Sequence, residues 1–290
     1  MRTAVVGAGA WGTAFAGVLR ERGHDVVLAG RNALEQEDVA IAELVCVAVP
    51  SRIFREVTAA LPGGAPVLIL TKGLDPQTGR RLSQVVEGRD VAVLSGPNHA
   101  EEIAQGLPAA AVLASTDDEL AATLQHELHS LRFRVYVNTD LIGVELCAAA
   151  KNVIALAAGA VDGLEAGDNA KAALITRGLA EMARLGEACG ARPETFSGLA
   201  GMGDLMVTCW SRHGRNRRAG ELIARGASPE EAAAEIGQVI EGLTTAPALR
   251  ELARRNGVEL PITEAVCQVL SGASLDELVS GLMGRRPTDE

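Results

Sequence analysis

Lys151 is the residue of this chain whose sequence surroundings most favour acid–base chemistry. It lies with Asn152 inside Cys147–Leu156, a run that otherwise contains only small and aliphatic side chains. An ammonium group buried in such a run is costly unless it is paired or faces a cavity, and desolvation lowers its pKa. The pattern therefore predicts a lysine that exchanges a proton with a ligand. A lysine whose ammonium group reaches solvent at the edge of the helix is the alternative.

An acidic residue follows a glycine-rich stretch further along the chain. Gly198, Gly201 and Gly203 precede Asp204, and glycines so close together indicate a loop that another group approaches closely. Two interpretations of Asp204 are equally compatible with the sequence. It caps the helix that follows, or it is the charge partner of a nearby lysine.

Arginines are concentrated in one short stretch. Arg212, Arg215, Arg217 and Arg218 lie together in a chain whose formal net charge is -10. The planar guanidinium group matches two phosphate oxygens, and a helix that starts nearby adds free N–H donors. We therefore expect the site for an anionic ligand here; a solvated run of charges is the alternative.

The N-terminus carries the glycine pattern of a dinucleotide-binding turn. A short β-branched run leads into Gly7-x-Gly9-x-x-Gly12, and a helical stretch follows. In such turns the first glycine permits the tight bend, the second lets the backbone approach a pyrophosphate, and the third lets the helix pack on the strand. The context predicts a bound dinucleotide; a glycine-rich turn without a ligand is the alternative.

Arg31 follows the second predicted strand, where the adenosine ribose of a dinucleotide would lie. An acidic residue at this place favours NAD, whereas an arginine suits the 2′-phosphate of NADP. Arg31 therefore favours NADP or the use of both cofactors. An arginine that stacks on adenine without discriminating, or one that is simply solvated, is the alternative.

The loops after other predicted strands carry further polar residues. Lys72 follows one strand and could meet a carbonyl oxygen or a phosphate of a ligand. After the strand that ends at Leu94, Asn98 is interpreted as a helix cap and Glu101 as its partner in a capping box. That interpretation leaves Gly96 and the free N–H groups of the turn for a ligand.

The elements that must position these residues change character near residue 138. Strands are predicted at Thr3–Val6, Asp25–Ala29, Leu44–Val49, Pro66–Leu70, Val91–Leu94, Ala110–Ala114 and Arg134–Val137. Between them lie helical stretches at Thr13–Arg22, Arg52–Ala60, Arg80–Val86 and Asp117–Ser130. Such alternation predicts a doubly wound, Rossmann-like parallel sheet over residues 1–138.

The remainder, residues 139–290, is predicted to be an all-α domain. Its helices are expected at Leu141–Val161, Ala170–Cys189, Leu205–Trp210, Ala219–Ala224, Pro229–Glu235, Ala246–Arg254 and Ile262–Ser271. A dinucleotide domain followed by a helical domain places the active site in the cleft between them.

Composition excludes several classes of function. Aromatic residues make up 2% of the 290 residues and the net charge is -10, so we expect no nucleic-acid partner. The five cysteines are scattered, which fits a reducing compartment and offers no metal-site spacing. The apolar residues at the N-terminus are expected to form a strand and not a signal segment, and the longest run of apolar residues and glycine, Val153–Val161, is too short to span a bilayer. We expect a cytoplasmic protein.

Taken together, the motifs resemble those of the bacterial NAD(P)-dependent glycerol-3-phosphate dehydrogenase family. The matching segments are Gly7–Thr13, Val49–Ser51, Thr71–Leu74, Ser95–Pro97, Ala150–Val153, Gly198–Leu205, Arg215–Arg217 and Val239–Thr245. The resemblance implies the reversible reduction of dihydroxyacetone phosphate to sn-glycerol 3-phosphate with NAD or NADP, for phospholipid precursor synthesis. It implies a small phosphorylated substrate, and it leaves a homodimer open.

The resemblance also implies roles for individual residues. Lys151 matches the family's catalytic proton donor and acceptor, with Asp204 beside it. The matching substrate positions are Lys72, Gly96, Asn98, Lys151, Asp204, Gly214, Arg215 and Asn216. The matching cofactor positions are Gly7, Gly9, Ala10, Trp11, Gly12, Arg31, Lys72, Ala100, Arg215, Val239 and Glu241.

This chain departs from the family pattern at a few places. Ala10, Asn98 and Gly214 stand where the family usually has serine, so that Ala10 and Gly214 offer only their backbone. The segment from Arg31 to Leu44 is shorter than in the family, which puts the outer wall of the adenine pocket in question.

Two other functions compete with this interpretation. A β-hydroxyacid or ketopantoate-type dehydrogenase has the same domain order and a catalytic lysine, but its carboxylate substrate has less need of the arginine stretch. A non-catalytic NAD(P)-sensing module has no reason to keep both Lys151 and Asp204 in the cleft.

Overall fold

A seven-stranded sheet forms the first part of the molecule, with the strand order β2-β1-β3-β4-β5-β6-β7. The computed structural model describes residues 1–30 and 37–275. The strands are β1 (Arg2–Val6), β2 (Asp25–Ala29), β3 (Leu44–Val47), β4 (Val67–Ile69), β5 (Val91–Ser95), β6 (Ala109–Ser115) and β7 (Phe133–Asn138). Each coincides with a strand predicted from the sequence to within two residues at either end.

Helices cover both faces of the sheet. In the described part of residues 1–138 they are α1 (Ala10–Glu21), α2 (Glu37–Ala40), α3 (Ser51–Ala59), α4 (Ala100–Ala104) and α5 (Asp118–Leu128). Along β3, Cys46 packs in one apolar cluster with Phe15 of α1, whereas Val45 and Val47 belong to the opposite cluster with Phe54 of α3. This burial on both sides explains why β3 is a continuous aliphatic run.

The predicted doubly wound parallel sheet is confirmed, with one antiparallel pair of strands within it. Strand β6 runs antiparallel to β5, while every other neighbouring pair is parallel. The connection from β5 contains only the short helix α4, and β6 starts at the same edge of the sheet where β5 ends. A parallel pairing would need a longer crossover back to the opposite edge.

Two helical predictions in this part also change. Helix α1 begins at Ala10 rather than Thr13, because Gly9 already adopts the extended conformation of an N-cap. The stretch Arg80–Val86 contains a single 3₁₀ turn, Leu82–Val85, instead of an α-helix. The N–H of Ser83 in this turn donates to a carboxylate of the second part.

The second part is helical, as predicted. Its helices are α6 (Leu141–Gly163), α7 (Gly167–Ala188), α8 (Pro193–Ser197), α9 (Asp204–Trp210), α10 (Arg215–Ala224), α11 (Pro229–Ile236), α12 (Glu241–Arg255) and α13 (Pro261–Leu270), with a π turn at Leu199–Gly203. Helix α10 begins at Arg215 rather than Ala219, and α12 begins at Glu241 rather than Ala246. The spacing of apolar residues did not predict these two helix starts, because the first turn of each helix carries polar residues that face the cleft described below.

Helix α6 is the centre of the helical part. It alone among the described helices is long and apolar enough to cross a membrane, but 89% of its most apolar window is buried inside the protein. A helix that is apolar on nearly all sides is expected at the core of a domain.

Helix α10 crosses α6 at very short range. A Cβ atom at Gly159 would overlap the carbonyl oxygen of Arg217, and one at Gly220 would overlap that of Leu156. Only glycine permits this approach of the two backbones. The crossing brings the N-terminal end of α10 beside Lys151 of α6.

Candidate active site

A cleft of about 430 Å³ lies between the carboxyl edge of the sheet and the helices of the second part. This volume is typical of small-molecule sites. Most of the predicted site residues line it: Gly9, Ala10, Trp11, Lys72, Asn98, Ala100, Lys151, Asp204, Gly214, Arg215, Asn216, Val239 and Glu241. Gly7, Gly12 and Gly96 are not in its lining, and Arg31 lies outside the described residues.

The glycine turn at the start of α1 has the predicted geometry. Gly7 has φ +115°, and a Cβ there would overlap the carbonyl oxygen of Ala48. A Cβ at Gly12 would overlap the carbonyl oxygen of Gly7 itself. At Gly9, by contrast, a Cβ would meet open space. The turn therefore needs Gly7 and Gly12 for its own packing, and it leaves room beside Gly9.

The residues around this turn fit a dinucleotide. The first N–H groups of α1 have no carbonyl partner within the helix, so they are available to a pyrophosphate. The indole N–H of Trp11 is buried and has no hydrogen-bond partner among the described residues. A buried donor in a cleft wall favours a ligand that accepts from it.

Lys151 is buried in the floor of the cleft and is paired there. Its Nζ donates to Asp204 Oδ1 at 2.6 Å and to Thr208 Oγ1 at 3.0 Å. The Thr208 hydroxyl in turn donates to the carbonyl oxygen of Asp204 at 2.6 Å. An ammonium group has three donors, and the described residues accept only two of those of Lys151. The third N–H is therefore left for a ligand.

Lys72 approaches the same carboxylate from the sheet. Its Nζ donates to the Gly96 carbonyl oxygen at 3.1 Å, to Asn98 Oδ1 at 2.8 Å and to Asp204 Oδ2 at 2.8 Å. Asp204 thus bridges two ammonium groups, one with each oxygen. Its side chain makes no capping bond to α9, so the charge-partner interpretation of Asp204 is correct and the capping interpretation is wrong.

Burial and neighbouring charges set the protonation of this cluster. The pKa of Lys151 is lowered from 10.5 to about 7, chiefly by burial; the charge of Asp204 opposes this lowering and the charge of Lys72 adds to it. Burial by itself would raise the pKa of Asp204, but the two lysines outweigh it and hold that pKa below its ordinary value. The site therefore combines an ionised carboxylate with a lysine that can gain or lose a proton near neutral pH.

The interpretation of Asn98 and Glu101 as a capping box is wrong. Helix α4 has His99 as its N-cap residue, and no side chain caps it. The Asn98 oxygen accepts from Lys72 instead, and its Nδ2 is buried without a partner among the described residues. An amide donor that lines the cleft in this way is available to a ligand.

Two buried amides connect the sheet side of the cleft with the helical side. Asn152 Nδ2 donates to the carbonyl oxygen of Lys72 at 3.3 Å, and Asn216 Nδ2 donates to Asn152 Oδ1 at 3.0 Å. The N–H of Gly242 donates to Asn216 Oδ1 at 2.9 Å. This chain of bonds fixes the N-terminal ends of α10 and α12 relative to the Lys72 loop.

Of the four clustered arginines, only Arg215 lines the cleft. It lies in the first turn of α10 and donates to the carbonyl oxygen of Val239 at 3.2 Å. Arg217 pairs instead with Asp162 and Glu221. Arg218 pairs with Glu235. The expected anion site is therefore narrower than the stretch 212–218, and consists of Arg215 and the start of α10.

Glu241 begins α12, and its carboxylate contacts the sheet domain. The N–H of Ser51 donates to Oε1 at 3.1 Å and the Ser51 hydroxyl to Oε2 at 2.5 Å. Helix α12 therefore starts five residues before the start predicted at Ala246.

Some residues of the site were missed from the sequence. Thr208 lies four residues after Asp204 on α9, a spacing that places both on one helix face and could have signalled it. His99 and His213 line opposite sides of the cleft with ring centroids 6.5 Å apart. Burial and the charge of Lys151 lower the pKa of His99. No sequence pattern indicated that these two histidines would meet.

Comparison with known proteins agrees with this geometry. Residues 140–280 match the family model described as the C-terminus of NAD-dependent glycerol-3-phosphate dehydrogenase, and residues 2–41 and 34–121 match that of its N-terminus. The chain is 45% identical to glycerol-3-phosphate dehydrogenase (NAD(P)+) of Moorella thermoacetica, over 99% of this chain and 97% of the relative. It is 42% identical to the enzyme of that name from Chlorobium phaeobacteroides, over 100% and 99% of the two chains.

A solved structure shows the same fold. The crystal structure of glycerol-3-phosphate dehydrogenase from Coxiella burnetii superposes with a TM-score of 0.90 at 37% identity, covering 98% of each chain. Both parts of that architecture, the dinucleotide-type sheet domain and the helical domain, are present here. The chain belongs to the NAD-dependent glycerol-3-phosphate dehydrogenase family.

Proposed function

We propose that the chain catalyses the reversible, NAD(P)H-dependent reduction of dihydroxyacetone phosphate to sn-glycerol 3-phosphate. The observation that carries the proposal is the buried Lys151–Asp204 pair in the cleft, with one lysine N–H left for a ligand. The names of the relatives, glycerol-3-phosphate dehydrogenase (NAD(P)+), support the substrate and the cofactor class.

Lys151 is the proposed proton donor and acceptor. A nicotinamide held in the cleft would provide the hydride for the ketone carbon, or accept the hydride of the alcohol carbon in the reverse direction. Protonated Lys151 donates its free N–H to the ketone oxygen, stabilises the negative charge that develops there, and transfers the proton. Asp204 holds the ammonium group in place, and Lys72 limits how strongly that ammonium binds its proton.

The start of α10 is the proposed phosphate site. Arg215 supplies a guanidinium group, and the free N–H groups after Gly214 add donors directed at an anion. Asn216 already uses its oxygen and one N–H within the amide chain, so a phosphate would receive its second N–H. Binding energy from this remote group positions the ketone against Lys151.

The cofactor is proposed to lie along the sheet edge. Its pyrophosphate would meet Gly9, Ala10 and Trp11 at the start of α1, and Glu241 would lie at the far wall. Arg31 favours NADP on sequence grounds alone. We place the domain boundary near residue 138, between β7 and α6, and the enzyme in the cytoplasm as a source of glycerol phosphate for phospholipid synthesis.

We further propose that the enzyme is a homodimer. Met202, Met206 and Trp210 repeat at four-residue intervals and are 44%, 43% and 45% exposed. Three large apolar side chains on one exposed helical face are more typical of a contact surface than of free surface.

The decisive assay measures NADPH and NADH oxidation, side by side, on addition of dihydroxyacetone phosphate. Wild-type protein is expected to turn over with at least one cofactor. Lys151→Ala is expected to abolish turnover, because the only proposed proton donor is lost, while cofactor binding measured by calorimetry stays near the wild-type value. Activity with ketopantoate or another unphosphorylated keto acid, but none with dihydroxyacetone phosphate, would overturn the proposal. Cofactor binding without any turnover would favour a sensing module.

A further inference from the structure

Two serine–glutamate pairs of the same design join the sheet domain to the helical domain. In each, a serine of the sheet domain donates both its N–H and its hydroxyl to the two oxygens of one glutamate of the helical domain. Ser51 binds Glu241 in this way at 3.1 and 2.5 Å. Ser83 binds Glu145 of α6 at 2.8 and 2.6 Å. Only the first pair includes a residue that lines the cleft.

The Ser51–Glu241 pair lies directly beneath the loop that carries Lys72. Ser51 is the first residue of α3 and is only 2% exposed. A Cβ at Gly73 would come within 3.0 Å of Ser51 Cβ and 3.4 Å of Glu241 Oε2, so the loop that carries Lys72 closes directly over the pair. The α3 N-terminus adds a favourable dipole for the carboxylate. Nothing in the resemblance gave Ser51 a role of its own.

We propose that Ser51 is a positioning residue for the dinucleotide, which it serves by holding the Glu241 carboxylate in the cleft wall across the domain boundary. The inference rests on the proposed function, in which Glu241 borders the cofactor. Because both Ser51 donors are taken up by Glu241, the serine acts through the glutamate and not by direct contact.

The charges around Glu241 support this role. Burial raises the pKa of Glu241, while the two bonds from Ser51 and the charges of Arg215 and Arg52 oppose that rise. Removing the Ser51 hydroxyl therefore makes the carboxylate easier to protonate. A protonated Glu241 would lose one of its acceptor sites and with it its fixed orientation.

The test is a double-variant cycle with cofactor binding as its readout. NADPH and NADH are titrated calorimetrically, without substrate, into wild type, Ser51→Ala, Glu241→Gln and the double variant. Each single variant is expected to weaken cofactor binding about tenfold, about 1.4 kcal/mol. The double variant is expected to lose no more affinity than the single variant with the larger loss. Additive losses, or Ser51→Ala within about twofold of wild type, would show that Ser51 does not act through Glu241.

Ser83→Ala is the matched control, since it removes the same kind of bond between the same two domains away from the cleft. It is expected to lower the thermal midpoint as Ser51→Ala does, but to leave both cofactor affinities unchanged. An equal loss of affinity in Ser83→Ala would mean that general domain cohesion, and not positioning of Glu241, is responsible. If Ser51→Ala does not fold, Ser51→Cys, which weakens the side-chain bond to Glu241 without leaving a cavity, takes its place in the cycle and is read by the same outcomes.

A pH series separates positioning from a purely structural effect. The acid limb of cofactor affinity is expected to lie at higher pH in Ser51→Ala than in wild type, and an unchanged limb would contradict the inference. Failure of the proposed function looks different: wild-type protein would then bind cofactor normally but not turn over dihydroxyacetone phosphate.

Discussion

At the scale of single residues, the carboxylate of Asp204 organises the chemistry of the cleft. It accepts from Lys151 with one oxygen and from Lys72 with the other. Lys72 has no donor to spare, because Gly96 and Asn98 accept its remaining N–H groups. The two lysines therefore have separate tasks: Lys72 is held by three protein acceptors, while Lys151 keeps an N–H for a ligand.

The pH dependence of turnover should follow the titration of Lys151. Its pKa is lowered to about 7. Ketone reduction needs the ammonium form, so kcat/KM is expected to fall as the pH rises through this value. Alcohol oxidation needs the neutral amine and is expected to rise over the same range. Initial rates in both directions between pH 5.5 and 9, in steps of about half a unit, would check this.

Lys72→Gln provides the variant for that experiment. Loss of the neighbouring positive charge should raise the pKa of Lys151 and move both midpoints to higher pH, with lower rates overall. Midpoints that stay in place would show that Lys72 does not influence the proton on Lys151.

Arg215 should govern the affinity for phosphate. Arg215→Ala is expected to raise KM for dihydroxyacetone phosphate about 10- to 100-fold, since a hydrogen-bonded charge contact is lost. Turnover of unphosphorylated dihydroxyacetone at high concentration, where it is measurable in the wild type, should hardly change. Arg218→Ala is the control, because Arg218 pairs with Glu235 at an exposed position. Equal effects of the two variants would contradict the assignment of the phosphate to Arg215.

The geometry of the glycine turn and the positions of Lys151 and Arg215 in the cleft were predictable, because each is visible in one short stretch of sequence. Lys72 was expected to meet a ligand, but its three donors are taken up by Gly96, Asn98 and Asp204. Asn98 was misinterpreted, and Ser51 and His213 received no role, for a common reason. Their partners lie more than twenty residues away in the chain, and only the folded backbone brings them together.

At the scale of elements, the crossing of α6 and α10 sets the distance between proton transfer and phosphate binding. The crossing depends on Gly159 and Gly220, where the two backbones touch. A wider separation would move Arg215 away from Lys151, since the two side chains lie on different helices.

Gly220→Ala is therefore expected to lower the free energy of unfolding by about 2–4 kcal/mol. Gly17→Ala is the matched control: Gly17 lies inside α1, and a Cβ there would meet nothing within 4 Å. Higher helix propensity should raise the stability of that variant by about 0.5–1 kcal/mol. Urea unfolding followed by circular dichroism would measure both. An unchanged free energy of unfolding in Gly220→Ala would show that α6 and α10 can move apart without loss of stability.

Starts of helices were less predictable than their middles. The apolar positions of α10 and α12 place these helices correctly, but both begin four or five residues earlier than the periodicity indicates. The extra first turns hold Arg215, Asn216 and Glu241, polar residues selected for the cleft and not for the core.

At the scale of the whole molecule, the order of strands and helices was readable because local patterns dictate it. The reversal of β6 was missed, because the alternation of strand and helix continues through it and only the shortness of the connecting helix α4 pointed to an antiparallel pair. The meeting of the two domains depends on paired contacts such as Ser51–Glu241 and Ser83–Glu145. No regular residue spacing in the sequence predicts such pairs.

The proposed homodimer is a property at this scale. Sedimentation equilibrium is expected to give twice the chain mass of 30.1 kDa. Met206→Glu, which places a charge in the exposed apolar face, should shift the distribution towards the monomer. A wild-type mass equal to a single chain would remove the proposal, whereas a Met206→Glu protein that stays dimeric would place the interface elsewhere.

The scarcity of aromatic residues has an optical consequence. The chain has two tryptophans: Trp11 lines the cleft beside the glycine turn, and Trp210 lies elsewhere under the ammonium group of Lys171, 5.1 Å from ring centroid to Nζ. A Trp210→Phe protein would emit ultraviolet fluorescence from the cleft wall alone. Energy transfer from that indole to a reduced nicotinamide would then report cofactor arrival and departure in real time, with no label attached.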